Sequence, residues 1–150
     1  MLLRRLRAAD AERVAQFVRR LSARSRLERF FAPLAELSPS QLALIVSRRG
    51  LSLALFDDDG AIVGIAQYAC ADATDAEVAI VVADEWQGKG IGRRLLERLL
   101  RHAARAGIAH VVGVTRAGNA AMQGLAGELG FRLRRDADPR LVRFERAAAG

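Results

Sequence analysis

Only one cysteine, Cys70, occurs in the 150 residues, so the chain cannot close an internal disulfide. Two histidines stand beside that single thiol, no spacing resembles a zinc site, and no bound metal is expected. Lysine is equally scarce: Lys89 is the only one, and the other basic residues are all arginine. Three prolines and no low-complexity tract or repeat leave nothing that reads as a linker, so a single domain over residues 1–150 is expected. No apolar run approaches the ~20 residues of a membrane-spanning helix. The start, MLLRRLRAADAERV, lacks the apolar core and cleavage site of a secretory leader. Together with the cysteine usage, this predicts a reducing cytoplasm and no membrane partner.

What is present is globular in composition, with 51% hydrophobic and 27% charged residues. The net charge of +7 favours anionic partners such as nucleotides, nucleic acid or acidic proteins, without choosing among them. Residues 2–7 can form a short strand. Asp10 is placed to cap a helix over 11–21, with Val14, Phe17, Val18 and Leu21 on one face. A short helix over 25–31 should end before Pro33, and Ser38-Pro39 opens another through Val46. Strands follow at 51–56 and 61–71, joined by the hairpin signal DDDG, and a third at 77–82, EVAIVV. A glycine-rich stretch leads into a helix to about Ala106, ended by Gly107. A strand at 110–114, a helix at 119–129 closed by Gly130, and strands at 131–135 and 141–145 complete the chain. That order predicts a mixed α/β (α+β) fold rather than the regular alternation of a doubly wound sheet.

The glycine-rich stretch is QGKGIGRR, residues 87–94. A backbone that approaches phosphates closely needs residues without Cβ, and a helix N-terminus adds unpaired N–H groups with a partial positive charge. Gly88, Gly90 and Gly92 meet the first demand and the following helix meets the second. Helix starts favour acidic residues, yet Lys89, Arg93 and Arg94 crowd this one, a placement that an incoming anion would turn to advantage. A P-loop is excluded because position 83 is alanine and glycine follows Lys89. A dinucleotide fingerprint is excluded because Arg93 stands where the third glycine belongs.

The stretch resembles motif A of the GNAT superfamily of N-acetyltransferases, Gln/Arg-x-x-Gly-x-Gly/Ala, with Gln87, Gly90 and Gly92 in the three places. NAAMQGLAGELGF, residues 119–131, is similar to a second segment of that family, with Asn119, Gly130 and Phe131 in register. The two matches cover about residues 61–135. RRLSARSRLERFFAPLAELSPSQL (19–42) and AEVAIVVADEWQGKGIGRRLL (76–96) further resemble the acetyltransferase domain of bacterial Pat-type protein lysine acetyltransferases. The resemblance implies a GNAT fold: a central, mostly antiparallel mixed sheet of about six to seven strands, flanked by helices and splayed between its two central strands.

It further implies acetyl-CoA as cosubstrate. Its pyrophosphate would lie on the backbone N–H groups of Gly88, Lys89, Gly90, Ile91, Gly92 and Arg93, with Arg93 and Arg94 adding charge. Its arm would pair with Ile80, Val81 and Val82 like an added strand, and Asn119 would contact the arm or fix the local loop. Transfer would be direct, a neutral amine attacking the thioester while a strand N–H near Val81 or Val82 stabilises the oxyanion. A lysine amine is almost wholly protonated at neutral pH, so a general base is needed. Glu77 matches the subgroup's general-base glutamate and by alternation shares a strand face with the apolar Ala79 and Val81; the alternative is a solvated glutamate at the strand end, just after Asp72 and Asp75. The tyrosine that many members carry seven residues after the asparagine is Ala126 here, so the thiolate would leave without a side-chain acid.

RSRLERFF combines Arg26, Arg29, Phe30 and Phe31 where the family builds its acceptor cleft. Cys70 is expected as a small buried residue, Tyr68 as a core or cleft-wall aromatic, and Trp86 beside the phosphate loop. Arg94, Arg98, Arg101 and Arg105 fall at helical spacing as a solvated stripe, with Glu97 set to pair with Arg101. The predicted acceptor is a protein lysine. A small amine, an N-terminal α-amine and a non-catalytic acyl-CoA-binding module are the alternatives, and no nucleic-acid motif accompanies the basic residues.

Overall fold

The DDDG turn behaves as its side chains dictate. Asp57 accepts from the N–H groups of Asp59 and Ala61 at 2.9 and 3.0 Å, and so closes β2 (Gly50–Phe56) onto β3 (Ile62–Cys70). β4 (Asp75–Val82) continues the antiparallel run, with Gly64 opposite Val82 and Cys70 opposite Ala76. β1 (Leu2–Arg5) covers the outer edge of β2. β5 (His110–Arg116) joins β4 in parallel, and β7 (Leu141–Ala147) and β6 (Arg132–Arg135) close the far edge. The computed structural model describes residues 1–150 apart from 33, 35, 47–49, 71 and 73. Within it the seven strands form one sheet in the order β1-β2-β3-β4-β5-β7-β6. This is the mixed, mostly antiparallel arrangement expected. Pro33 and Ala71, at the predicted ends of a helix and a strand, lie outside the described residues.

Among the described residues five α-helices flank the sheet: α1 (Ala11–Arg20), α2 (Ala23–Phe30), α3 (Pro39–Val46), α4 (Ile91–Arg105) and α5 (Ala120–Glu128). Helical spacing places Leu95, Leu96 and Leu99 of α4 in the core of one face, with Val111 and Phe144. Val14, Phe17 and Val18 of α1 fill the other face, with Ile62 and Ile65. β3 is therefore buried from both sides, and Ile62, Val63, Ile65 and Ala66 are each 4% exposed or less. Gly113 in β5 is required by packing: a Cβ there would sit 2.1 Å from the Phe144 ring.

Asp10, at 1% exposure, stands at the N-cap position of α1, but its side chain makes no capping bond to that helix because other donors occupy it. Its two carboxylate oxygens each accept from Arg4 at 2.8 Å, and it also takes the Arg7 N–H and Arg13. The Arg4 bonds, ahead of the opposing effect of burial, hold this carboxyl far below the usual range. The pairing ties β1 to α1. Cys70 departs from expectation: it ends β3 as an exposed thiol, because the strand leaves the helices' cover there. Glu97 also departs, pairing backward with Arg93 at 2.7 Å instead of forward with Arg101.

Candidate active site

β4 and β5 are paired only at their beginnings, Asp75 with His110, Ala76 with Val111 and Glu77 with Val112. Beyond that register β5 stays with β7 to Arg116, opposite Leu141, while β4 stays with β3 to Val82. The two central strands therefore part, and Glu77 stands at their last shared rung. The gap is a cavity of about 570 Å³ that reaches from α2 on one face of the sheet to the start of α4 and α5 on the other.

The parting leaves β4 with a free edge, and strand alternation decides which groups use it. The Ala83 N–H donates to Val63 O at 2.8 Å, so odd-numbered residues of β4 aim their N–H and C=O at β3. Ile80 and Val82 aim theirs across the gap. Val81, expected to make backbone contacts there, lines the cavity but turns its N–H and C=O toward Ile65. Gln87 donates to the Val82 carbonyl at 3.0 Å and to Ser25 Oγ at 3.2 Å. It is thus a brace between strand, loop and α2, and the Val82 N–H remains directed into the gap.

The turn Asp84–Trp86 carries the chain from β4 to the glycines. Gly88 and Gly90 take φ of +74° and +81°, the left-handed region in which a Cβ is strained. Space does not demand glycine at either position, since an added Cβ would meet nothing within 4 Å. Gly90 is the N-cap of α4, whose start has no side-chain cap and no acidic residue in its first turn. Its leading N–H groups therefore face open space with the helix dipole behind them, the arrangement that receives a phosphate. A Cβ on Gly92 would make only ordinary contacts, 3.4 Å to Leu125 and 3.7 Å to Ile80, so the protein's own packing tolerates alanine there.

The basic residues of the loop divide. Arg93 lines the cavity while bonding Glu97 at 2.7 Å and Glu128 at 3.2 Å. Lys89 lies over the Trp86 ring, 5.0 Å from its centre, and like Arg94 is not part of the cavity wall. Ile91 is buried beneath the helix start and lines the cavity. Asn119, expected to contact the arm or fix the local loop, is the N-cap of α5: its Oδ1 accepts the Met122 N–H at 3.1 Å, opening that helix beside the cavity. Ala126, at the position of the missing tyrosine, is fully buried and no part of the wall.

On the α2 side Glu77 is exposed, with a cation as its neighbour. The purely apolar surroundings expected for this carboxylate are not what the fold builds. Burial pushes the Arg29 guanidinium down to about 10, and the charge of Glu77 pulls it back up. Arg29 also donates to Gln67 at 3.1 Å and lies over Phe30. Arg26 points elsewhere, donating to the Leu21 carbonyl. Phe31 ends α2 at φ 57°, the one non-glycine residue with positive φ among those described, and its ring lines the cavity.

Several residues were not legible as parts of this site. Asp84 accepts from the Ser22 N–H at 2.9 Å, from Ser22 Oγ at 2.7 Å and from Ser25 Oγ at 2.9 Å, clamping α2 to the loop before the glycines. Desolvation acts to raise its pKa, but these bonds outweigh it and hold the carboxyl below its ordinary value. Glu28 Oε2 and Thr115 Oγ1 are buried, line the cavity and have no hydrogen-bond partner among the described residues. Two serines three residues apart give no signal in one dimension, because their partner is 62 and 59 positions away. The uncapped helix start and the unpaired strand edge together fit a long, polar, phosphate-bearing ligand lying along the gap in the sheet.

Comparison with known proteins agrees with this geometry. A family model described as the GNAT acetyltransferase domain matches residues 1–132. An acetyltransferase of Pseudomonas aeruginosa is 38% identical over 145 residues, which take in 92% of this chain and 78% of that protein. The crystal structure of the GNAT domain of S. lividans PAT superposes with a TM-score of 0.90 at 28% identity, covering 97% of this chain and 89% of that one. A GNAT phosphinothricin acetyltransferase from Sinorhizobium meliloti, in complex with acetyl-CoA, superposes at 0.79 over 97% of this chain and 87% of that one. Its identity is 22%, a likeness of fold.

Proposed function

The chain belongs to the GNAT family of acetyltransferases, and from that premise we propose that residues 1–150 act as one cytoplasmic domain that acetylates a lysine side chain of a protein. Acetyl-CoA supplies the activated acetyl group. The single observation that carries the reading is the position of Glu77, at the last rung shared by two parting strands, with the uncapped start of α4 at the other end of the same cavity. The choice of lysine draws support from the Pat-type pattern of residues 19–42 and 76–96 and from the likeness to the S. lividans domain.

Each residue then has a physical task. The N–H groups of residues 88–93 hold the pyrophosphate, with Arg93 beside them. Ile80 and Val82 hydrogen-bond the extended arm, and an N–H of that edge steadies the developing negative charge on the carbonyl oxygen. Asn119 fixes the start of α5 against the arm. Glu77 takes a proton from the incoming ammonium, directly or through water, so that a neutral amine attacks. The exposed, solvated position of Glu77 suits a base that must pass its proton to bulk water. The thiolate leaves without a side-chain acid, since Ala126 is buried away from the cavity.

The test is incubation of the protein with labelled acetyl-CoA and a lysate of its source cells, followed by mass spectrometry. Acetyl-lysine on a small set of proteins supports the reading. Label confined to small amines or to protein N-termini moves the acceptor to those classes, and no transfer at all would reduce the protein to an acyl-CoA-binding module.

A further inference from the structure

We propose that Glu28 is the specificity-determining carboxylate of the acceptor site, selecting an amine that arrives as an alkylammonium ion. The inference deepens the lysine reading and rests on it. Glu28 stands three residues after Ser25 on α2, the helix clamped to the loop by Asp84, so its place relative to the donor site is fixed. Its side chain is 19% exposed and lines the cavity.

The two oxygens of Glu28 differ. Oε1 receives Arg116 Nη1 at 3.5 Å, a long contact at the limit of a hydrogen bond. Oε2 is buried and receives no hydrogen bond from any described residue. A carboxylate placed only as a strut for arginine would engage both oxygens in a fork, as Asp10 does with Arg4 at 2.8 Å twice. A buried carboxylate oxygen left open is an acceptor awaiting a donor. The other charged groups around it are Arg24 one turn earlier, Arg29 and Glu77, and none of them bonds that atom.

The location decides which donor. Arms and phosphates of the cosubstrate belong to the opposite face of the sheet, with Gly90, Asn119 and the free edge of β4. Glu28 lies with Glu77 on the α2 face, where the acceptor enters. Two carboxylates there divide the work: Glu28 holds the ammonium by one N–H, and Glu77 removes a proton from another. A neutral amide or an anionic amine substrate gains nothing from this pair.

The experiment uses two stable conjugates of CoA with the side-chain nitrogen of Nα-acetyl-lysine amide, titrated into the full chain by calorimetry at pH 7 beside CoA itself. An ethylene bridge keeps the nitrogen a cationic amine, and an acetyl bridge makes it a neutral amide. The wild-type protein is expected to bind the cationic conjugate about tenfold more tightly than the neutral one. Glu28→Gln is expected to erase that preference while CoA affinity stays unchanged, and Arg116→Gln to retain it. A preference that survives Glu28→Gln overturns the assignment of Glu28 alone. Equal losses in Glu28→Gln and Arg116→Gln, or a loss that extends to CoA, would mark Glu28 as a strut and overturn it as well. If the wild type binds neither conjugate more tightly than CoA, the lysine reading and this one fall together.

Discussion

The two ends of the cavity are built in opposite ways. On the proposed reading, the donor end is a run of consecutive residues, 87–93, that offers mainly backbone: glycines at positive φ, an uncapped helix start and a free strand edge. The acceptor end is a set of side chains from α2, β4 and β5, with contacts spanning 88 residues for Glu28–Arg116 and 38 for Arg29–Gln67. A site made of backbone N–H groups needs only a local conformation, so one short motif can specify it. A site made of side chains needs the whole sheet to bring them together, so its parts can change independently.

Substitutions at each end should therefore separate cleanly. The largest expected effect is at the acceptor end: Glu77→Gln should lower turnover about 10²–10⁴-fold near neutral pH, with acetyl-CoA affinity by calorimetry within twofold of wild type. Unchanged turnover would remove Glu77 as the base. At the donor end, Gly90→Val places a branched side chain at φ +81°, a strain of about 1–2 kcal/mol that the loop relieves by moving its N–H groups. Acetyl-CoA should bind about tenfold more weakly, while turnover at saturating acetyl-CoA changes far less. A turnover loss as large as that of Glu77→Gln would erase the distinction between the ends.

Asp84 is where they meet, and its effect should be smaller and shared. Asp84→Ala removes three hydrogen bonds that hold α2 to the glycine loop. KM for both substrates should rise about threefold together, and the melting temperature should fall by about 5 °C. The sign with pH follows from the lowered pKa. The clamp is complete above the unfolded carboxylate value of about 3.9 and fades as pH falls through the lower folded value. Between pH 5 and 8 the wild-type profile should therefore owe nothing to Asp84, and the ratio of wild-type to Asp84→Ala stability should shrink only in acid.

This asymmetry also explains what could be read from the chain alone. Alternation and helical spacing located the strands and helices to within a few residues, because burial of Val14, Phe17, Leu95 and Leu99 depends on local period. QGKGIGRR was legible because glycines and a helix start are local, whereas Asn119 stood out only through the likeness of its segment to a family motif, and its capping bond to Met122 was not foreseen. The wrong expectations all concern the third dimension. Val81 carries the right side chain on the wrong backbone parity, a matter fixed only by its register with β3. Glu97 had two arginines at helical spacing and took Arg93. Glu77 was placed correctly along its strand, but the arginine that gives it a cationic neighbour comes from α2. Glu28 and Thr115 gave no signal, since an orphaned oxygen exists only once everything around it is packed.

Arg93 gives the smallest and most pointed test of the contrast. It is the one loop cation that lines the cavity, yet it is half-exposed and already bonded to Glu97 and Glu128. A phosphate would have to compete with those carboxylates for the same guanidinium, so its net contribution is limited and screened by salt. Arg93→Ala should weaken acetyl-CoA binding by about threefold at low salt, and the difference should vanish near 0.5 M salt. The deficit of Gly90→Val should persist at both, because a displaced backbone N–H is not returned to its place by adding salt. If Arg93→Ala instead exceeds Gly90→Val at every salt concentration, the donor end is held by side-chain charge, and the two ends of the cavity are built alike.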